Sequence, residues 1–223
     1  MTTRVGEIMT RDWSVVDGDG HVVETASRLG PFGWDGSTNH EKIDRMLQGW
    51  DTPEKWQAGL HPDAVGAWSA DDRLADMDRE GIDRAVNYPS ALLAVGDVGS
   101  LPDQVRLCRA YNDWFFSTYR SNCGDRMLAV AVVPVADPAA AVVEARRAVV
   151  ELGAVGIVVP PYVGARHLDA AEFDPLWSLA VELDVPIGVH GGRSVNEPHI
   201  HESSFRTQTR WYAMGHPSIR CSP

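Results

Sequence analysis

The sequence predicts an α/β fold built on a parallel sheet that is covered on both faces. Three observations carry that prediction. Short, nearly continuous apolar runs recur at residues 84–88, 127–133, 156–159 and 186–190, the pattern of strands buried on both sides. Amphipathic stretches with helical spacing lie between them, as a strand–helix alternation requires. Proline or glycine stands at most of the joints, where helices and strands stop. With 223 residues and 44% hydrophobic side chains, the chain is long enough for one domain, read over 1–223, with a substantial core.

The elements follow in order. Val15 and Val16 lead into Asp17-Gly18-Asp19-Gly20-His21, a strand ending in polar side chains. Residues 71–80 predict a helix with Leu74 and Met77 on one side and Gly81 at its end. Residues 84–88 are the second strand, closed by Pro89. Residues 103–119 predict a helix, because Val105, Leu107, Cys108, Tyr111, Trp114 and Phe115 recur at helical spacing. A third strand over 127–133 stops at Pro134. Asp137-Pro138 then supplies a capping side chain followed by proline at the first helical position, with Gly153 placed to end that helix. The fourth strand, 156–159, ends at Pro160-Pro161. Asp174-Pro175 repeats the cap-plus-proline signal before Leu176, Trp177, Leu179, Ala180 and Leu183. The fifth strand, 186–190, ends in His190 and is followed by Gly191-Gly192.

Two regions break the rhythm. Residues 31–70 form a long insertion after the first strand, containing Trp34, Trp50, Trp56 and Trp68. Four tryptophans favour a packed cap over that strand, with a plain structural excursion as the equal alternative. Residues 193–223 read as an irregular tail.

The formal net charge of −11 excludes a broad nucleic-acid or anionic-membrane surface, since both attract positive charge. Small molecules remain the expected partners. Cys108, Cys123 and Cys221 form no Cys-x-x-Cys pair, so neither a disulfide framework nor a cysteine zinc site is signalled, and Cys108 reads as a buried small residue. The first 13 residues lack the apolar stretch of a signal peptide. No run reaches the roughly 18 apolar residues of a membrane helix. The cytoplasm is the expected location.

In an extended strand, residues two apart share a side, so Asp17, Asp19 and His21 should project together. A carboxylate beside an imidazole suits zinc, manganese or ferrous iron better than calcium. A calcium loop fails because the twelfth position from Asp17 is Arg28, not a glutamate. On this pentapeptide alone, a polar turn is an equally good reading. His190 shifts the balance: it ends an apolar strand, where a parallel sheet places its functional groups. Ligation by Asp19, His21 and His190 together is then favoured over a histidine that merely caps its strand.

The remaining candidates read as incidental. His199 and His201 sit in a loop-like context, and His40, His61 and His167 lie in polar surroundings. Gly18-x-Gly20 lacks the third glycine of a dinucleotide site. Ser90, Ser194 and Ser203 have no strand–turn–helix context for a nucleophile.

Several stretches resemble one family in order and spacing: Asp17-Gly-Asp-Gly-His-Val-Val-Glu24, Arg73-Leu-Ala-Asp-Met-Asp-Arg-Glu-Gly-Ile-Asp83, Tyr111-Asn-Asp-Trp114, Asp174-Pro-Leu-Trp177 and Pro186-Ile-Gly-Val-His-Gly-Gly192. The sequence is similar to the amidohydrolase-related family of metal-dependent TIM-barrel hydrolases and decarboxylases, which includes aminocarboxymuconate-semialdehyde decarboxylase. The resemblance implies a (β/α)₈ architecture of which about five βα units are present. It implies a divalent metal, zinc foremost with manganese or iron as alternatives. Asp19 and His21 match the first-strand ligand pair, with a carboxylate in the variant position, and His190 matches the fifth-strand ligand. Glu24 matches an acidic residue whose implied role is to orient the ligands from behind.

The implied activity is hydrolysis of a small organic substrate by a metal-activated water. The alternative is metal-dependent decarboxylation, and the rival from another class is an inactive truncated fragment. A complete barrel takes about 250 residues, and the resemblance finds no counterpart for strands six to eight. The eighth would supply an aspartate base, so the catalytic base is expected outside these residues. The pattern runs to Arg210-Trp-Tyr-Ala-Met-Gly-His-Pro217 and lapses at Ser218-Ile-Arg-Cys-Ser-Pro223, as in a shortened or frame-shifted reading frame. Unpaired edges on an incomplete barrel would favour homo-oligomers.

Overall fold

The computed structural model describes residues 13–34, 38, 41–49, 64–163 and 166–191. Strands β1 (Val16–Val22), β2 (Arg84–Pro89), β3 (Met127–Val132) and β4 (Gly156–Val159) run in chain order. A two-residue hairpin follows, β5 (Tyr162–Val163) with β6 (Arg166–His167), and then β7 (Ile187–Val189). The five longer strands pair in parallel in the order β1-β2-β3-β4-β7. Consecutive strands as neighbours, helices between them and a curled sheet are the first five units of a (β/α)₈ barrel.

Burial shows which side of β2 faces the helices. In β2, Ala85, Asn87 and Pro89 are buried while Arg84, Val86 and Tyr88 are more open, the period-two pattern of a strand with one covered face. β4 is buried throughout, as expected of a central parallel strand.

Among the described residues, the α-helices longer than three residues are α1 (Ala26–Leu29), α2 (Glu41–Gly49), α3 (Ala70–Glu80), α4 (Leu101–Trp114), α5 (Pro138–Arg147) and α6 (Asp174–Leu183). Local signals explain most ends. The Asp137 side chain accepts from Ala139 N–H to open α5, satisfying one donor that the first turn leaves unpaired. Gly81, at φ 70°, terminates α3, and Gly153, at φ 84°, ends the wide turn Ala148–Leu152 that extends α5. Only glycine adopts such angles without strain. The Asp174-Pro175 signal is one residue out. A 3₁₀ turn at Ala171–Phe173 feeds directly into α6, so Asp174 is its first helical residue and Phe173 occupies the cap position.

Asn112 fastens the helices to the sheet. Its side chain accepts from Val132 N–H and donates to Val132 O, both at 3.0 Å, and it donates to Glu144 at 2.7 Å. Arg147 grips Glu144 through two bonds and reaches Asp113. Every member is partnered, so this buried network locks α4 and α5 onto β3 without stranding a polar group. Leu107, Tyr111, Phe115, Met127 and Phe173 are essentially buried members of one hydrophobic core. Cys108 is buried as expected, and Cys123 is buried too; Cys221 lies outside the described residues.

The described parts of the 31–70 insertion pack tightly. Trp34, Ile43 and Leu47 are buried. Val23 N–H donates to Ala67 O at 2.8 Å, Arg28 stacks over Trp68 at 4.0 Å, and the Tyr119 hydroxyl donates to Trp68 O at 2.7 Å. The return of the insertion is thus pinned to the segment leaving β1. Trp50, Trp56, His40, His61 and residues 193–223 lie outside the described residues. His167 is exposed, as its polar surroundings predict. Among the described residues, no helix is long and apolar enough to cross a membrane.

Candidate metal centre

The site begins with an irregularity in β1. Asp17 pairs with Ala85 and Gly20 with Asn87, so three steps on β1 face two on β2. Such a bulge redirects side chains. Gly20 lies close against β2: a Cβ there would stand 3.1 Å from both Asn87 Oδ1 and Asp17 Oδ2. Asp17 therefore lies on the Gly20 side, where its Oδ1 accepts from Asp19 N–H at 3.0 Å. The expectation that Asp17, Asp19 and His21 project together is corrected for Asp17, because the two-residue rule presumes a regular ladder.

Asp19, His21 and His190 do meet. Each offers one ligand atom, and these atoms all lie within 4.8 Å of one another. Asp19 Oδ1 is 3.1 Å from His190 Nε2 and 3.8 Å from His21 Nε2. A central ion at metal–ligand distances of about 2.0–2.2 Å needs donors roughly 3 to 4.4 Å apart.

The hydrogen bonds behind the rings give the tautomers. His21 Nδ1 lies 2.9 Å from Pro89 O, and His190 Nδ1 lies 3.2 Å from Gly191 O. A carbonyl only accepts, so each Nδ1 donates and each neutral ring keeps its lone pair on Nε2. With both rings neutral, two such lone pairs and a carboxylate oxygen converge, an arrangement that a metal ion, or a proton shared by His190 Nε2 and Asp19 Oδ1, relieves. The donor set fits a divalent metal. Burial lowers the His21 pKa, with His190 as a smaller contributor and the Pro89 bond opposing, a shift toward the neutral form that can ligate. The Asp19 side chain is 68% exposed, against 32% for His21 and 22% for His190, so the centre is open to solvent on the inner side of the curl. The groove of about 570 Å³ beside β7 is lined by Trp177, Val181 and Ile187 among others, and contains none of the three.

Glu24 stands behind this group. It is fully buried, and its carboxylate accepts from Leu92 N–H at 2.6 Å and from Ser90 N–H at 2.9 Å. Burial pushes its pKa up to about 7 despite those bonds. Ser90 Oγ donates to Val22 O at 2.8 Å, so the chain just after the Pro89 carbonyl is stitched to the end of β1. Glu24 reaches His21 only through that loop.

Arg73 of α3 lies in one of the stretches that carry the resemblance, where the sequence assigns it no role. Its guanidinium donates to His21 O and, through Nε, to Gly66 O at 3.1 Å, tying helix, insertion and β1 together. Tyr88 escaped the sequence reading too, although its position at the end of β2 was a signal.

A family model described as Amidohydrolase matches residues 16–216. The chain belongs to the amidohydrolase family.

The curated relatives of this chain are named as decarboxylases. Decarboxylase orsB of Emericella nidulans is 43% identical over 84 residues, covering 37% of this chain and 25% of that protein. Gamma-resorcylate decarboxylase of Rhizobium radiobacter is 31% identical over 135 residues, covering 54% of this chain and 38% of the relative. Among solved structures, 5-carboxyvanillate decarboxylase of Novosphingobium aromaticivorans, with bound manganese and a nitrobenzoic acid, aligns with a TM-score of 0.62 at 22% identity. That alignment covers 80% of this chain and 51% of the enzyme. For 2,6-dihydroxybenzoate decarboxylase from Rhizobium the TM-score is 0.58 at 24% identity, covering 85% and 54%. These structural likenesses establish the shared fold. The chain spans about half the length of these solved relatives.

Proposed function

We propose that this chain supplies the metal-binding part of a decarboxylase acting on small aromatic carboxylic acids. The observation that carries the reading is the convergence of Asp19 Oδ1 with the two Nε2 atoms of His21 and His190. The relatives whose names describe aromatic-acid decarboxylases then favour carbon–carbon cleavage over the hydrolysis that the sequence reading put first.

A divalent ion held by these three side chains would supply positive charge to anchor and polarise the carboxylate of the acid. Manganese is the first ion to test, since solved relatives carry it, with zinc, the ion expected from the sequence, beside it. The chain's own residues do the rest of the work available here. Pro89 and Gly191 carbonyls hold the Nδ1 protons, so neither imidazole can turn its donor face toward the site. Glu24, through Ser90 and Leu92, steadies the loop that carries Pro89. The acidic surface implied by the net charge of −11 makes capture of an anionic acid dependent on the ion, because the ion reverses the local field.

Ligand capture is the direct test. Manganese-loaded chain is titrated calorimetrically with 2,6-dihydroxybenzoate and with its methyl ester. Binding of the acid that disappears without manganese, and weak binding of the ester, supports the reading. Equal binding of acid and ester, or binding that ignores the ion, contradicts it. Ester hydrolysis by the loaded chain would restore the hydrolase reading.

A further inference from the structure

The two imidazoles of the metal centre stand on the outermost strands of the sheet. His21 belongs to β1 and His190 follows β7, with β2, β3 and β4 between them. Their ring centroids are nevertheless 5.0 Å apart.

Besides Asp19, one side chain lies against both. Tyr88 lies opposite His21 in the β1–β2 register. Its ring centroid is 6.1 Å from that of His21 and 5.2 Å from that of His190. The far end of the ring reaches β7. A Cβ built on Gly188 would stand 2.8 Å from the Tyr88 hydroxyl oxygen and 3.3 Å from Cε1. In a flat sheet, three strand spacings of about 4.8 Å would separate β2 from β7 by roughly 14 Å, beyond a tyrosine. The contact therefore spans the inside of the curl. Among the described residues the hydroxyl has no hydrogen-bond partner, so what joins Tyr88 to Gly188 is shape.

We propose that Tyr88 is the positioning residue of the metal centre: its ring sets the spacing of His21 and His190, and residue 188 is glycine to admit it. The inference rests on the reading of Asp19, His21 and His190 as metal ligands. A substituent at 188 would push the tyrosine ring, the softer partner, toward the imidazoles. Removing the ring would leave the exposed Asp19 carboxylate as the other side chain bridging the β1 and β7 ligands, with no rigid body to fix their separation.

The test uses the full chain and two readouts, the manganese dissociation constant and the visible spectrum of the cobalt-substituted protein, with circular dichroism to monitor folding. Tyr88→Phe keeps the ring and should bind manganese within about threefold of the parent, while Tyr88→Ala should bind about 10–100-fold more weakly, as for other groups that orient ligands. The cobalt spectrum of Tyr88→Ala should change shape, which a general loss of stability does not produce. Gly188→Ala should weaken binding, yet Tyr88→Ala/Gly188→Ala should be no worse than Tyr88→Ala alone, because the added methyl group then has no ring to displace. Parent-like affinity and spectrum in folded Tyr88→Ala would overturn the inference while leaving the metal centre standing. If Tyr88→Ala does not fold, parent-like affinity in Gly188→Ala overturns it equally. A parent chain that takes up neither manganese nor cobalt overturns both the metal centre and the role of Tyr88.

Discussion

Asp19 Oδ1 lies 3.1 Å from His190 Nε2, although 171 residues separate them. The contact joins the first strand to the end of the fifth unit of the curled sheet, and it puts a carboxylate against an imidazole whose other nitrogen is already committed to Gly191 O. That pairing makes sense with a cation between the two. It also makes Asp19 a residue that links both histidines, since its Oδ1 lies 3.8 Å from His21 Nε2 and 3.1 Å from His190 Nε2.

Asp17 and Asp19 should therefore separate cleanly. Asp17→Asn keeps an acceptor for the Asp19 amide and should leave manganese affinity within about threefold, whereas Asp19→Asn removes a ligand charge and should cost at least the roughly 10–100-fold typical of outer partners. Calorimetric titration of both variants checks this. Equal losses would mean that the bulge does not separate the two carboxylates.

Glu24 predicts a pH dependence of stability. Its pKa rises from 4.5 to about 7 on folding, so between those values the folded chain holds a proton that the unfolded chain has released. The sign follows: the contribution is present below about pH 4.5 and is lost as pH rises toward 7, by at most about 3 kcal/mol. Urea unfolding at pH 5 and pH 7.5 should show a steeper fall in the parent than in Glu24→Gln. The Gln variant should also be less stable at both pH values, because its amide NH₂ faces a backbone N–H. Identical pH slopes would show that Glu24 is charged in the fold throughout.

Arg73 should matter for stability in a way that surface arginines do not. Arg73→Met strands the His21 and Gly66 carbonyls and should cost about 1–3 kcal/mol. Arg45→Ala breaks an exposed pair with Glu41 and should cost well under about 1 kcal/mol. Urea midpoints of the two variants decide it, and comparable losses would contradict the role assigned to Arg73.

The sequence was most legible where a local rule acts alone. Asp137-Pro138, Gly81 and Gly153 mark helix ends through caps and positive φ, and the structure uses them so. His190 was legible as a candidate because strand ends in parallel sheets carry functional groups. The misses all involve a partner distant in sequence or a competing local turn. Asp17 is redirected by a bulge whose register depends on β2, and Asp174 loses its cap position to the preceding 3₁₀ turn. The β5–β6 hairpin has two residues per strand, too few for any periodicity to register. The contact of Tyr88 with Gly188 spans the curl of three strand pairings, which no window of sequence contains.

The most direct measurement is the manganese and zinc content of the purified chain, set against Asp19→Ala/His21→Ala. Close to one ion per chain, lost in the double variant while circular dichroism stays unchanged, is the result predicted by a centre built from Asp19, His21 and His190. No ion in the parent, or the same content in both proteins, would contradict it.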